Sequence, residues 1–462
     1  MPVENTISST LISGLNRIKN ALQHRFAWLV LVALAVVFNL GFVSQALPET
    51  QSTICQFQFF GNVALALLFT YAVFLKSRQI TSFTIKRQTW YFLIPLALLM
   101  RLLLAKLGGN YDLESFEIAG NIVLNGDSVY EHTNRYNYGP FWAYWLGFLK
   151  FLSSIGGGYN KTLFHSYIVC TLFVFELLLI KGLRKNGYDQ LACLILLFNP
   201  LSCILIGHHS QFDIIAIATA YWAYIKIKEN NILQGIILLG LSYAIKHIFV
   251  FFPLILLFDQ QITLKNRLII AVAPALIFAA SFMPFISDWQ AIKTNVLAYQ
   301  LNHGQTLFYK IFDIVIPHAF SEFEAINTIP LMTGYKPIWI LSFLILGYWI
   351  HRQSSKHQFE LYLVYLVGSS LAISEQYLLI PIMMVVSMRR HFIAWLYLLL
   401  STYYIMFVSA HNTAQYFKLS DLGMNLNADW YGIGFAQIQI CLLILLYKAI
   451  EISNLKLSES QT

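Results

Sequence analysis

The chain has 462 residues, of which 58% are apolar, 16% aromatic and only 11% charged, with a formal net charge of +8. Many apolar runs approach the roughly 20 residues that a helix needs to cross a bilayer, and they are continuous rather than alternating, which excludes a β-barrel. The five cysteines show neither a disulfide framework nor metal-ligand spacing. The composition therefore predicts an all-α polytopic membrane protein.

The basic residues stand in short clusters between the apolar runs instead of forming one patch. By the positive-inside rule these clusters are cytoplasmic, as are both termini, so the positive charge requires no nucleic-acid partner. The clusters lie at 17–25, 76–87, 181–185, 226–228, 265–267, 352–356, 389–390 and 448–456.

The apolar runs predict a single membrane domain of about 12–14 transmembrane helices. Residues 1–89 supply the N-terminus and two helices, 90–390 the core, and 391–462 the C-terminal helices and the tail. Within the core, the large first outer loop 108–138 precedes an aromatic segment, 139–155, that we interpret as an interfacial helix. Spans are expected near 26–47, 57–75, 90–107, 162–180, 190–206, 211–227, 268–286, 335–351, 391–409 and 431–450.

Four polar segments are predicted to share the outer face. The outer loop carries five carboxylates, and polar turns are expected at 207–213, at Lys246-His247 and at Ser374-Glu375-Gln376. Ionisable groups at membrane depth are costly and by default mark a functional site. We therefore expect the four segments to form one site. The five carboxylates are Asp112, Glu114, Glu117, Asp127 and Glu131.

The acidic residues of the loop also have structural interpretations. Asp112 could be the N-cap of the helix that follows it, a role compatible with chemistry. Glu114, Glu117 and Asn121 recur at helical spacing and could form a solvated stripe. Asp127 and Glu131 are interpreted as loop solvation.

The polar turns and the charged residues inside the spans also have structural interpretations. His208-His209 could be an interfacial turn, Lys246 could extend its ammonium group to the interface, and Glu375 could be a satisfied turn residue. Glu176 is expected to pair with Lys181 or to be solvated. For Arg101 and Lys106, which precede the loop, two interpretations stay open: contact with carboxylates or lipid phosphate, or anchoring of the helix end.

The order of the polar motifs supplies a resemblance. The sequence has Asp112-Leu113-Glu114 opening the loop, YGPF at 138–141, HSQFD at 209–213, Lys246 after a small-residue helix, and Ser374-Glu375-Gln376. Over about 90–390 this order resembles the GT-C glycosyltransferases that use polyprenyl-phosphate sugars. It is most similar to the dolichyl-phosphate-glucose-dependent glucosyltransferases of asparagine-linked glycan assembly and to bacterial polyprenyl-phosphate mannosyltransferase relatives. The chain departs from the family pattern at Gly139, where the family has a proline, and at the late motif, which lacks its His and Lys.

The resemblance implies a GT-C-like bundle and an inverting glycosyltransferase. A hexose, mannose or glucose, would move from a polyprenyl-phosphate donor to a hydroxyl of a lipid-linked or glycan acceptor. This would happen at the outer face of a membrane, which we expect to be the bacterial inner membrane. No nucleotide-binding glycine-rich loop is found, and neither a metal nor a cofactor is expected.

Residue roles follow from the resemblance and from the chemistry of a lipid phosphate leaving group. Asp112 would be the general base, with Glu114 and Glu117 orienting the acceptor. The phosphate would meet cations or N–H donors. Candidates for that contact are Arg135, His208, His209 and Lys246, and the remaining substrate-binding candidates are Tyr138, Gln211, Asp213, Glu375 and Gln376.

Two other classes of function remain open from the sequence. A transporter or lipid-linked-sugar flippase would need polar groups along a path through the membrane, and commonly has inverted repeats. A non-catalytic subunit of a glycan assembly complex would be compatible with the changed late motif.

Overall fold

A computed structural model describes residues 84–106, 109–297, 306–308, 329–351, 357–370, 373–416 and 428–459. These residues are about 80% helical and contain no strand, which confirms the all-α prediction for this part of the chain. Within it, four helices are long and apolar enough to cross a membrane, or five if a bent pair counts as one span. The predicted spans 26–47 and 57–75 lie outside the described residues, so the expected total of about 12–14 helices stays a prediction.

The first half of the described chain contains the outer loop and the most buried helices. Helices α2 to α4 belong to the outer loop and to the aromatic segment after it. The bounds are α1 Arg87–Ala105, α2 Tyr111–Leu124, α3 Val129–His132, α4 Pro140–Ser154, α5 Lys161–Lys185, α6 Gln190–Phe198, α7 Pro200–Gly207, α8 Asp213–Lys228 and α9 Ile232–Ile245.

The second half begins with short elements and ends with long apolar helices. The α-helices are α10 Phe252–Leu256, α11 Leu264–Ser281, α12 Trp289–Ile292, α13 Ile329–His351, α14 Gln358–Gly368, α15 Ile382–Ser387, α16 Phe392–Tyr416 and α17 Ala428–Glu459. Shorter turns are 3₁₀ helices at His247–Phe249, Met283–Asp288 and Glu375–Leu379, and a π-helix at Lys293–Leu297.

Helix α8 lies at the centre of the bundle, packed between α5 and α9. It is apolar on nearly every side and buried over most of its length, as expected for a helix surrounded by other helices. Helix α11 is the opposite case, because its apolar side chains are largely exposed in the bundle. A helix whose apolar residues face outward suits contact with lipid.

Helices α6 and α7 meet at a bend of 47°. Pro200 has no backbone N–H and begins α7 at a position that favours proline. The Asn199 side chain accepts a hydrogen bond from the Ser202 backbone N–H at 2.7 Å and donates to the Leu196 carbonyl at 2.7 Å. The backbone groups released by the break are thus satisfied locally, as burial requires.

The aromatic segment forms helix α4, which packs against α2. One side of α4 exposes large aromatic side chains, a pattern typical of helices at the headgroup boundary. The helix therefore agrees with the expected helical segment at 139–155. The exposed side chains are Phe141, Tyr144, Trp145, Phe148 and Phe151.

Glu176 does not pair with Lys181, which corrects the sequence-based expectation. Its carboxylate accepts from the Arg101 guanidinium at 2.8 Å, and both side chains are fully buried. Arg101 also donates to the Leu197 carbonyl at 3.0 Å. Arg101 is therefore directed into the bundle, joining α1, α5 and the end of α6, and does not reach the outer carboxylates.

Removing one partner of this pair should destabilise the fold strongly. We expect Glu176→Leu to lower the free energy of unfolding by about 3–5 kcal/mol, because it leaves the Arg101 charge buried and unpaired. The double variant Arg101→Met/Glu176→Leu should recover most of that loss. Denaturation in mixed micelles measures both, and Glu451→Gln, in the half-exposed pair with Lys448, is a control expected to cost less than about 1 kcal/mol. A double variant as unstable as the single one would contradict this account.

The predicted sidedness can be tested with single cysteines in a variant lacking the native ones. Asp127→Cys, on the exposed turn after α2, should react with an impermeant maleimide added outside intact cells. Lys181→Cys, near the end of α5, should react only after permeabilisation, because its basic cluster is predicted to be cytoplasmic. Labelling of both positions from the same side would refute the topology.

Candidate functional site

A cavity of about 440 Å³ opens where the four polar segments come together. This volume is within the roughly 300–1,000 Å³ of typical ligand pockets. Six of the predicted site residues line it: Asp112, Arg135, Tyr138, Lys246, Glu375 and Gln376. The other lining residues are Asn110, Tyr111, Ser115, Asn134, Asn137, His247, Ile248, Ser374 and Tyr377.

Asp112 lies in the first turn of α2 but is not its N-cap. Asn110 has that role, because its side-chain oxygen accepts from the Leu113 backbone N–H at 3.3 Å. The N-terminal end of a helix favours negative charge. The Asp112 carboxylate also accepts from the Gln211 side-chain amide at 2.7 Å. The carboxylate is thus held in place while it faces the cavity.

The turn between α7 and α8 places Gln211 behind Asp112. Ser210 is fully buried and has a φ of 54°, a left-handed conformation that is uncommon for serine. The Gln211 backbone N–H donates to the Leu205 carbonyl at 2.9 Å, which closes the turn. Conformations of this kind occur often at functional sites, where the surrounding structure holds them.

Lys246 is the buried cation of the cavity. It lies just beyond α9, with its ammonium group 2.8 Å from the Asp213 carboxylate and 3.1 Å from the Gln376 side-chain oxygen. The rings of Phe212, Tyr377 and Tyr138 lie around it, with centroids 5.0, 5.3 and 5.4 Å away. Lys246 is therefore fixed by a carboxylate, an amide and aromatic faces, and does not extend into solvent.

Arg135 is a second cation at the cavity, held against the first turn of α2. It donates to the Glu114 carboxylate at 2.9 Å and to the Ser115 hydroxyl at 3.1 Å. Its guanidinium lies 3.8 Å from the centre of the Tyr111 ring. Glu114 thus acts on the site through Arg135 and is not a lining residue.

Gly139 brings the end of the outer loop onto the end of α9. Its backbone N–H donates to the Ile245 carbonyl at 3.4 Å. A Cβ atom at this position would lie only 1.8 Å from the Ala244 carbonyl oxygen. Any residue with a side chain would therefore push Tyr138 away from Lys246.

Two carboxylates line the cavity, those of Asp112 and Glu375, and the surroundings of Glu375 change its pKa. Burial raises the pKa of Glu375, and the nearby charge of Asp112 raises it further. This shift favours the neutral form of Glu375. Asp112, which the Gln211 amide holds at the cavity, is the better candidate for the base.

Other predicted residues lie behind the lining or away from it. Burial lowers the pKa of His208 to about 4 and the pKa of His209 well below its usual range, so neither supplies a positive charge at neutral pH. Neither histidine lines the cavity, and their contact with a phosphate as N–H donors stays a prediction. His209 instead lies 3.2 Å from the Asn110 side-chain nitrogen, behind the cavity.

Glu117 is separate from the cavity. Its carboxylate lies 3.5 Å from the ammonium group of Lys150 and 3.3 Å from that of Lys161. It therefore joins α2 to α4 and to the start of α5. The prediction that it orients the acceptor gains no geometric support.

Three lining residues were not predicted from the sequence: Asn110, Ser115 and Tyr377. Asn110 carried a usable signal, since an asparagine three residues before Leu113 suits an N-cap. Ser115 and Tyr377 reach the cavity only through helix geometry and long-range packing. No local pattern distinguishes them.

Comparison with known proteins adds no assignment: no protein-family model matches the chain, and a search of the curated proteins returns no match. Among the residues that the structure describes, no three His, Cys, Asp or Glu side chains are placed to hold a metal ion together.

The Glu117 cluster should make stability depend on pH. Although burial would raise it, the Tyr159 hydrogen bond and the Lys161 and Lys150 charges hold the pKa of Glu117 below its ordinary 4.5. The ion pairs therefore stabilise the fold above about pH 4.5, and this stability is lost as the pH falls through the lower folded value. Glu117→Gln should cost about 1 kcal/mol at pH 7 and progressively less below pH 4.5.

Thermal unfolding of wild type and variant at pH 7 and pH 3.5 measures this difference. Glu131→Gln, on the same exposed loop, is the control and should unfold like wild type at both values. A pH-independent difference between Glu117→Gln and wild type would argue against the assigned ion pairs.

Proposed function

We propose that the protein is an inverting glycosyltransferase that moves a hexose from a polyprenyl-phosphate donor to an acceptor hydroxyl. The observation that carries the proposal is that Asp112 and Lys246 line one cavity, each held by a buried partner. One carboxylate and one fixed cation are what a single displacement at a sugar phosphate needs.

At the anomeric carbon of the donor sugar, one bond forms and one bond breaks. The acceptor oxygen attacks the anomeric carbon while the bond from that carbon to the phosphate oxygen breaks. Asp112 takes the proton of the acceptor hydroxyl, and the lipid phosphate leaves with its electron pair and its negative charge. A single displacement inverts the anomeric configuration.

Lys246 and Arg135 suit the leaving phosphate. Lys246 is buried, where electrostatic interactions are stronger than in water. Arg135 is partly exposed at the same cavity and offers a guanidinium fork that matches phosphate oxygens.

Helix α4 supports a lipid-linked donor in particular. The helix follows the outer loop and begins two residues after Tyr138, a lining residue, and one of its sides exposes aromatic rings. Such a surface suits the boundary between headgroups and acyl chains. A polyprenyl chain at that boundary would bring its phosphate to the height of the cavity.

A transporter or lipid-linked-sugar flippase is the second candidate, and the broken helices favour it. Helices α6 and α7 are bent by 47°. The chain also breaks at Lys246, between α9 and the turn His247–Phe249. Interrupted helices near the binding site are common in transporters.

Reconstitution separates the two functions. The purified protein in detergent is given a panel of polyprenyl-phosphate hexoses and lipid or glycan acceptors, and product and its anomeric configuration are determined. A transferase turns over without a sealed membrane, whereas a flippase moves substrate only across a closed bilayer. Movement of donor across liposomes with no product from any acceptor would overturn the proposal.

Asp112→Asn should lower turnover by about 10²–10⁴-fold, the usual contribution of a positioned general base. Asp127→Asn, a carboxylate on the same loop but outside the cavity, is the matched control and should keep wild-type turnover. The initial rate of product formation at saturating donor measures the effect. Wild-type turnover in Asp112→Asn would rule out this residue as the base.

A further inference from the structure

A second cavity, of about 320 Å³, lies outside the proposed active site. Four separate parts of the chain line it: residues 187–189, residue 357, residues 384–391 and residues 449–452. All four parts overlap a basic cluster that predicts a cytoplasmic location or begin within two residues after one. The cavity therefore combines positive charge with a defined concave shape.

The two cavities lie at opposite ends of helices α6 and α7. Asp189, at the second cavity, is the N-cap of α6, whereas His208 and His209 follow the end of α7. At 1.5 Å per residue, and with the bend, the 190–207 segment covers roughly 25 Å. The second cavity is thus separated from Asp112 by most of the length of the bundle.

Arg389 is held at this cavity by its neighbours. Its guanidinium donates to the carboxylate of Asp189, which also accepts from the Ala192 backbone N–H at 2.8 Å. The Arg389 backbone carbonyl accepts from the Trp395 indole at 2.5 Å. Asp189 is thus shared between the start of helix α6 and the Arg389 guanidinium.

The remaining lining residues suit a phosphate ester. Arg390 is exposed at the mouth, and His357 and His391 offer ring N–H groups. Arginine forks bind phosphate oxygens in a planar, two-point geometry that lysine does not provide. Met384 and Met388 form an apolar, buried side of the same cavity. Basic pockets between membrane helices on the cytoplasmic side are known sites for acidic lipid headgroups.

We propose that this cavity binds a phosphate ester, distinct from the substrate of the outer site. The phosphate lies between Arg389, Arg390 and the histidines, and the organic part of the ligand lies against the methionines. The proposal goes beyond the proposed function and does not depend on it. The same chemistry is present in an acidic lipid headgroup and in a soluble phosphomonoester.

The test uses the full-length protein in detergent and measures bound ligand by native mass spectrometry. The probes are phosphatidylglycerol, phosphatidylcholine and glycerol phosphate. Wild type should bind phosphatidylglycerol at least about tenfold more tightly than phosphatidylcholine, because only the former leaves a net negative charge for the arginines. If glycerol phosphate binds as tightly as phosphatidylglycerol, the phosphate comes from a soluble ligand; if only the lipid binds, it comes from a headgroup.

Variants decide whether the cavity is responsible. Arg390→Gln should weaken binding about tenfold, as expected for a lost charge-assisted hydrogen bond. Lys265→Gln removes an exposed basic residue at the start of α11, outside the cavity, and should bind like wild type. Equal binding by wild type and Arg390→Gln would overturn the proposal, and so would the absence of any preference for phosphatidylglycerol or glycerol phosphate over the zwitterionic phosphatidylcholine. Turnover by the outer site is a separate measurement, so the failure of one proposal leaves the other testable.

Discussion

The buried ion pair between Lys246 and Asp213 is the interaction on which the candidate site depends. Neither side chain is more than 4% exposed. Removing two charges from water costs several kcal/mol per ion, and this cost is offset only when geometry and extra contacts are good. Here Gln376 and three aromatic rings complete the environment of the ammonium group. Asp213 begins α8, Lys246 follows the end of α9, and Gln376 lies in the 375–379 turn. The start of α8, the end of α9 and this turn must therefore lie at the same depth.

The same constraint extends to Asp112 through the backbone. Gln211 is two residues before Asp213, and its amide holds the Asp112 carboxylate. A shift of Asp213 would therefore move the hydrogen-bond donor of the proposed base. Two backbone features also hold these residues in place. Ser210 has a left-handed conformation, and Gly139 lies close to Ala244. A bulkier or less tolerant residue at either position would disturb the backbone path. The glycine that departs from the resembled family pattern thus has a steric reason.

Charge is distributed unequally between the two ends of the bundle. The outer cavity has carboxylates, one of them with a raised pKa, against two partnered cations. The other cavity has two arginines against one aspartate. The buried Arg101–Glu176 pair lies between the two cavities. It lines neither cavity and joins α1 to α5. Because the removal of one partner would leave the other charge buried, the pair constrains how α1 packs on α5.

The sequence by itself determined the all-α class, the helical aromatic segment and the four polar segments that come together. These features depend on local composition and on the cost of placing polar groups in lipid, which act wherever the chain goes. Only the tertiary structure decided that Glu176 pairs with Arg101, that Glu117 contacts Lys150 and Lys161 away from the cavity, and that His209 lies behind the cavity beside Asn110. Each of these contacts depends on which side chains lie within a few ångströms of each other after packing. The partners are up to about a hundred residues apart in the sequence, so no local pattern identifies them.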